Sequence, residues 1–276
     1  MQFPLETLAA LATIVGTAIS LLALLQSRAC LLLTSLLVVC LAILVVLYAR
    51  KQRLALDAAS TVIEGRSIDS LNIANLRRRV NRTFVIQEAH HTARIEDGDL
   101  EITWKYSGYC RSDSASEMEF SIDTENNVAF KDLDCVAFDL GHDPDMTHAI
   151  RPVLVGTEGL SKKIAVPFLE PLSANQPFGL LLKCTLPGCI TPGFGYYTST
   201  LSFAQKRVRR CTVHLIFKGP APSWLRVYES TLQKPAALVK TLAPSRQEHG
   251  LYEYLDVAEN RRGQSARVYA FWRDPG

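Results

Sequence analysis

The chain has 276 residues, 48% of them hydrophobic and 21% charged, with a formal net charge of +3. So small a positive excess argues against a protein that grips duplex nucleic acid by charge. The seven cysteines are too few to read as a disulfide framework in a chain long enough to build its own core.

Residues 8 to 48 form an almost unbroken apolar run, interrupted by Gln26, Ser27 and Arg28. One helix of that length would be roughly 60 Å long, about twice the hydrocarbon thickness. Two spans of about 20 residues fit instead. The expectation is a transmembrane hairpin over residues 1–49, with spans at 7–25 and 30–48 and Arg28 at the turn. "MQFPLET" lacks the positive start of a signal peptide. Ala12, Gly16 and Ser20 recur every fourth residue on one face of the first span, which suits close helix packing in a homo-oligomer. Neither span carries an interior ionisable side chain, which argues against a transporter or proton relay.

Residues 50–82 read as a juxtamembrane connector, partly helical, with eight basic side chains against three acidic ones. Arg77, Arg78, Arg79 and Arg82 are its densest group and suit lipid headgroups or a ligand phosphate. The bias of Arg50, Lys51 and Arg53 after the second span places the remainder in the cytoplasm, where thiols stay reduced.

From Thr83 the period switches to two. "LEITWKY" sends Leu100, Ile102, Trp104 and Tyr106 one way; "MEFSID" repeats the pattern with Met118, Phe120 and Ile122. Further alternating sets are Val136, Phe138, Leu140; Ile164, Val166, Phe168; Phe178, Leu180, Leu182, Cys184; Tyr197, Ser199, Leu201, Phe203; and Cys211, Val213, Leu215, Phe217. "RVYAFW" reads as a closing strand, and Asp97-Gly98 suits a tight hairpin turn. Such alternation marks sheets with one buried face. The fold class expected is therefore a two-helix hairpin followed by a mainly β domain over 83–276, an antiparallel sandwich with a barrel as the alternative. "LQKPAALVKTLAPSRQEHG" breaks the pattern and reads as a helical or loop insertion.

No phosphate loop, nucleophile elbow or zinc-protease motif is present, so no enzyme activity, cofactor or metal is expected. "DLGHDPDMTH" gathers Asp139, His142, Asp143, Asp145 and His148, which reads as a polar turn before it reads as a metal site. The adjacent His90 and His91 must face opposite sides of a strand and receive no functional reading. The candidate ligand site is Arg207, Arg209 and Arg210 with Tyr196 and Tyr197, cations beside rings that can hold a phosphate and stack a base.

The order of hairpin, basic collar and catalytically silent β domain resembles the two-transmembrane, β-strand-rich effectors of bacterial anti-phage systems of the CBASS type. The resemblance implies a nucleotide-sensing β domain, oligomerisation and damage to the inner membrane. The function expected is thus a membrane sensor or effector whose β domain binds a nucleotide or protein partner. The alternative is an anchor that recruits a cytoplasmic protein.

Overall fold

The computed structural model describes residues 80–123, 128–158, 161–190, 193–231 and 234–273, together with the backbone at 62–63 and 66–67. The chain divides into two units, Met1–Val62 and Ile63–Gly276, and the second carries the sheets. The elements are strands β1 (Val62–Ile63), β2 (Arg66–Ser67), β3 (Phe84–Glu96), β4 (Asp99–Cys110), β5 (Ser114–Asp123), β6 (Asp134–Asp139) and β7 (Val153–Glu158). They continue with β8 (Ser161–Ser173), β9 (Pro177–Leu186), β10 (Gly193–Lys218), β11 (Trp224–Thr231), β12 (Lys234–Thr241), β13 (Arg246–Glu248) and β14 (Leu251–Arg273). A 3-10 turn, Phe130–Asp132, leads into β6.

The large sheet has the order β12-β11-β14-β10-β3-β4-β9-β6, with β13 added beside β14, and a second sheet has the order β5-β8-β7. The spine is the antiparallel pair β10–β14. At 26 residues, β10 would reach roughly 85 Å if straight. A register shift between Ser202 and Arg207 divides it into two working halves. The first half pairs with the far end of β14, which continues to β11 and β12, and takes a parallel bridge from Asn81 at its end. The second half lies parallel to β3, from Arg210 opposite Glu88 to Lys218 opposite Glu96.

Gln205 bridges the irregularity. Its Oε1 accepts from the Ile86 amide at 2.6 Å, and its Nε2 donates to the Ile86 and Arg207 carbonyls. The side-chain amide thus replaces a peptide group where the ladder is broken. Opposite it, a Cβ on Gly263 would lie 2.1 Å from the Gln205 carbonyl oxygen, so only glycine fits this close approach.

The core lies where the small sheet covers the inner face of β4 and β9. Met118, Phe120 and Ile122 from β5 and Ile164, Val166 and Phe168 from β8 are buried with Leu180, Leu182 and Phe178. Rings interlock across the two layers: Phe168 meets Phe84 and Phe178 at 5.7 and 5.9 Å, and Phe120 stacks on Trp104 at 6.0 Å. At about 2 kcal/mol or more per buried side chain, this layer contact is a large cohesive term, and the same core continues along β10 and β14 through Leu215, Phe217, Tyr269 and Phe271.

Several expectations require correction. The domain is neither a purely antiparallel sandwich nor a closed barrel, since β3 and β10 run parallel and the large sheet ends at β12 and β6. Alternation fixes which face is buried and is blind to strand direction. Residues 234–241 and 246–248 form strands β12 and β13, not a helix or loop. Val62–Ile63 is strand, within the connector expected to be partly helical.

The membrane architecture is also corrected. Among the described residues no helix is long and apolar enough to cross a membrane. The expected spans 7–25 and 30–48, with Ala12, Gly16 and Ser20, lie outside those residues, as do Arg77, Arg78 and Arg79. Hydropathy records only the preference for leaving water, which a protein interior satisfies as lipid does. Neither the two-span hairpin nor the membrane and cytoplasmic placement built on it is carried forward.

Candidate functional site

Between the small sheet and the inner face of β4 lies a cavity of about 820 Å³, flanked by β5 and the first half of β10. Its wall includes His91, Ile102, Trp104, Tyr106, Phe120 and Tyr197. These residues arrive there by strand phase. On β3, Ala89, His91, Ala93 and Ile95 all turn inward, so His91 is 2% exposed while His90 stands outside near Glu88. The register sets His91 directly beside Trp104 of β4, and Tyr106 follows two residues along the same face.

The polar atoms of the wall are joined in pairs. His91 Nε2 and the Tyr106 hydroxyl share a hydrogen bond of 2.8 Å, and Trp104 Nε1 donates to the Tyr197 hydroxyl at 3.0 Å. His91 Nδ1, by contrast, is buried with no hydrogen-bond partner. An unsatisfied buried polar atom of this kind costs about 1–3 kcal/mol.

The electrostatics keep these groups neutral. Burial, helped by the positive charge of Arg261, pushes His91 down to about 3. Burial raises the Tyr106 and Tyr197 hydroxyls well above their ordinary value. Arg261 is itself 3% exposed and is held by neutral acceptors: Nε donates to Ser265 Oγ at 3.0 Å, Nη1 to Ser199 Oγ at 3.1 Å and Cys211 Sγ at 3.3 Å, and Nη2 to the Ser199 carbonyl at 2.6 Å. Among the described residues no carboxylate pairs with it. Elsewhere on β14, Asp256 gathers Arg267 Nη1 and Lys240 Nζ at 2.8 and 2.6 Å and accepts from the Tyr269 hydroxyl at 2.7 Å.

The candidate residues expected from sequence are separated by this arrangement. Tyr197 belongs to the cavity wall. Tyr196 also borders the cavity, while its ring packs beside Phe194 against the cluster of Tyr228, Val268 and Ala270. Arg207, Arg209 and Arg210 are exposed beyond the register shift. Arg207 caps the Asn260 carbonyl and Arg209 pairs with Glu88. Arg82 is exposed at the approach to β3.

The polar turn after β6 is structural. Asp139 is fully buried and accepts from the Gly141 and His142 amides, from His142 Nδ1 at 2.7 Å and from the Leu169 amide at 3.1 Å, tying β6 to β8. Asp143, held below the usual carboxylate range by the His148 amide, closes the same turn. Asp145 and His148 are exposed. Among the described residues no group of three or more His, Cys, Asp or Glu is placed to hold a metal.

No family model and no curated protein sequence matches the chain. Solved structures with some likeness include an M1 zinc metallopeptidase from Deinococcus radiodurans, at 14% identity and a TM-score of 0.42, covering 69% of this chain and 42% of the peptidase. Another is a protein from Legionella pneumophila described as nutrient-binding, at 7% identity and a TM-score of 0.41, covering 70% of this chain and 68% of that one. This chain thus spans less than half the length of the peptidase. Likenesses of this size assign neither a fold family nor an activity.

Proposed function

We propose that the β unit is a binding module, not an enzyme, and that its cavity takes up a compact, uncharged aromatic compound. The single observation that carries this reading is His91 Nδ1, buried without a partner in the wall of a ring-lined cavity. A ligand hydroxyl, carbonyl or ring nitrogen would satisfy it, recovering the cost of the orphaned atom. A volume near 820 Å³ falls in the range of small-molecule sites. Trp104, Tyr106, Phe120 and Tyr197 supply faces and edges for an aromatic guest.

The charges on the described wall disfavour a phosphate. Arg82 and Lys163 face Glu117, Glu119 and Asp123, and Lys163 is paired to Glu119 at 2.7 Å. The nucleotide expected from sequence therefore gives way to a neutral guest such as a nucleoside or an indole.

The test is thermal unfolding of the full chain with indole, adenosine and a cyclic dinucleotide. Saturation at a hundredfold excess over Kd stabilises by about 2.7 kcal/mol. The expected result is a raised midpoint with a neutral compound that disappears in His91→Phe and Trp104→Ala. A response to the cyclic dinucleotide alone, unchanged in both variants, overturns the reading, as does no response to any of the three.

A further inference from the structure

Cys135 lies on β6, the edge strand of the large sheet, and is paired in register with Cys184 on β9. The backbone says which kind of pair this is. The amide and carbonyl of Ala137 both bond to Ile150, at 2.8 Å each, and so point away from β9. Cys135, two residues earlier, has the same orientation. Cys135 and Cys184 therefore oppose each other in a non-hydrogen-bonded ring, where Cα atoms are about 4.5 Å apart and side chains are closest. That spacing is within the reach of a disulfide.

Both cysteines are free thiols. Cys184 is 1% exposed, whereas Cys135 is half-buried. The neighbouring thiol of Cys184 favours ionisation of Cys135, whereas the Cys135 sulfur and burial push Cys184 up. Cys135 is thus the sulfur that a reagent from solvent meets first.

We propose that Cys135 and Cys184 form a two-electron oxidation site for a small peroxide, with Cys135 attacking and Cys184 resolving. The Cys135 thiolate attacks one oxygen of hydrogen peroxide. The O–O bond breaks, a Cys135 sulfenic acid forms, and the released hydroxide takes a proton to become water. The Cys184 sulfur then attacks the sulfenic sulfur, its proton leaves with the hydroxyl as a second water, and the S–S bond forms. Two thiols lose two electrons and the peroxide is reduced to water, so the step balances. The product staples the edge strand that carries Asp139, the residue tying β6 to β8.

The experiment treats the full chain with hydrogen peroxide and maps its peptides by mass spectrometry. The expected product is a peptide pair linked through Cys135 and Cys184, with a thermal midpoint raised by on the order of 10 °C and restored by dithiothreitol. In Cys184→Ser, a dione reagent captures a sulfenic acid at Cys135. In Cys135→Ser, Cys184 resists the same dose. Linkage through other cysteines, no thiol loss in the wild type, or equal oxidation of Cys184 in Cys135→Ser overturns the assignment. The wild-type map decides the matter even where a variant fails to fold.

Discussion

His91 should make the protein acid-sensitive in a window that no exposed histidine would produce. Its native value is pushed down to about 3 by burial and by Arg261, against an ordinary 6.5. The sign follows from the depression. Above the ordinary value neither state is protonated, and stability is unaffected. As pH falls, the unfolded chain takes up a proton that the native chain refuses, and stability is lost progressively down to about 3. At pH 5 the gap is about 1.5 units, worth about 2 kcal/mol of lost stability. Against a total of about 5–15 kcal/mol that loss is plainly measurable. The comparison is urea unfolding of the wild type and His91→Gln at pH 7.5 and pH 5, since glutamine offers Tyr106 a partner and does not titrate. The other five histidines are common to both proteins and cancel in the difference. The wild type should lose about 2 kcal/mol more than the variant over this interval. Parallel losses would mean that His91 is protonated in the native state, and the account of a buried, neutral imidazole would fail with it.

Two further perturbations test the spine. Gly263→Ala puts a Cβ against the Gln205 and Phe203 carbonyl oxygens, and because those oxygens are backbone and cannot swing aside the strain should cost about 2 kcal/mol or more in urea unfolding. Asp256→Asn should cost about 3 kcal/mol, since it leaves the cations of Arg267 and Lys240 short of their buried counter-ion. In the wild type, burial would raise the Asp256 carboxyl, but Lys240, Tyr269 and Arg267 together hold it below the ordinary range. Its contribution is therefore present above about pH 4 and lost as acid protonates it, and the Asn variant should lack that part of the acid dependence.

Much of the strand content was legible because one buried face imposes a period of two. Leu100, Ile102 and Tyr106, the whole set from Phe178 to Cys184, and the set from Cys211 to Phe217 are all inward as their spacing predicts. The Asp97-Gly98 turn is also as expected, with both residues at positive φ, 48° and 88°. The phase failed on β6. There Val136 and Phe138 are only partly buried, while Ala137 and Asp139 are fully buried. An apolar residue was taken as the inward one, and the buried aspartate that bonds the following turn reversed that order. The parallel contact of β3 with β10 left no local trace, because partners more than a hundred residues apart are chosen by the tertiary fold.

The candidate site was less legible for a related reason. Its defining side chains are polar groups at inward positions, which a hydrophobic pattern counts as breaks. His91 was set aside because its neighbour faces the other way, yet that opposition is what places one imidazole inside. Arg261 lies in "ENRRGQ", a polar stretch without alternation, yet β14 runs through it and turns the side chain into the core. The exposed arginines at 207, 209 and 210 advertised positive charge, while the cation that shapes the cavity's chemistry is the concealed one. Arg261 is absent from the described wall of the cavity and is surrounded by serine oxygens and a thiol, so an anionic guest could not reach it. Its field nonetheless disfavours a proton on His91. Burial first and this concealed cation second keep the His91 imidazole neutral, which is why a buried histidine beside an arginine leaves no charge signature that a hydrophobic pattern could register.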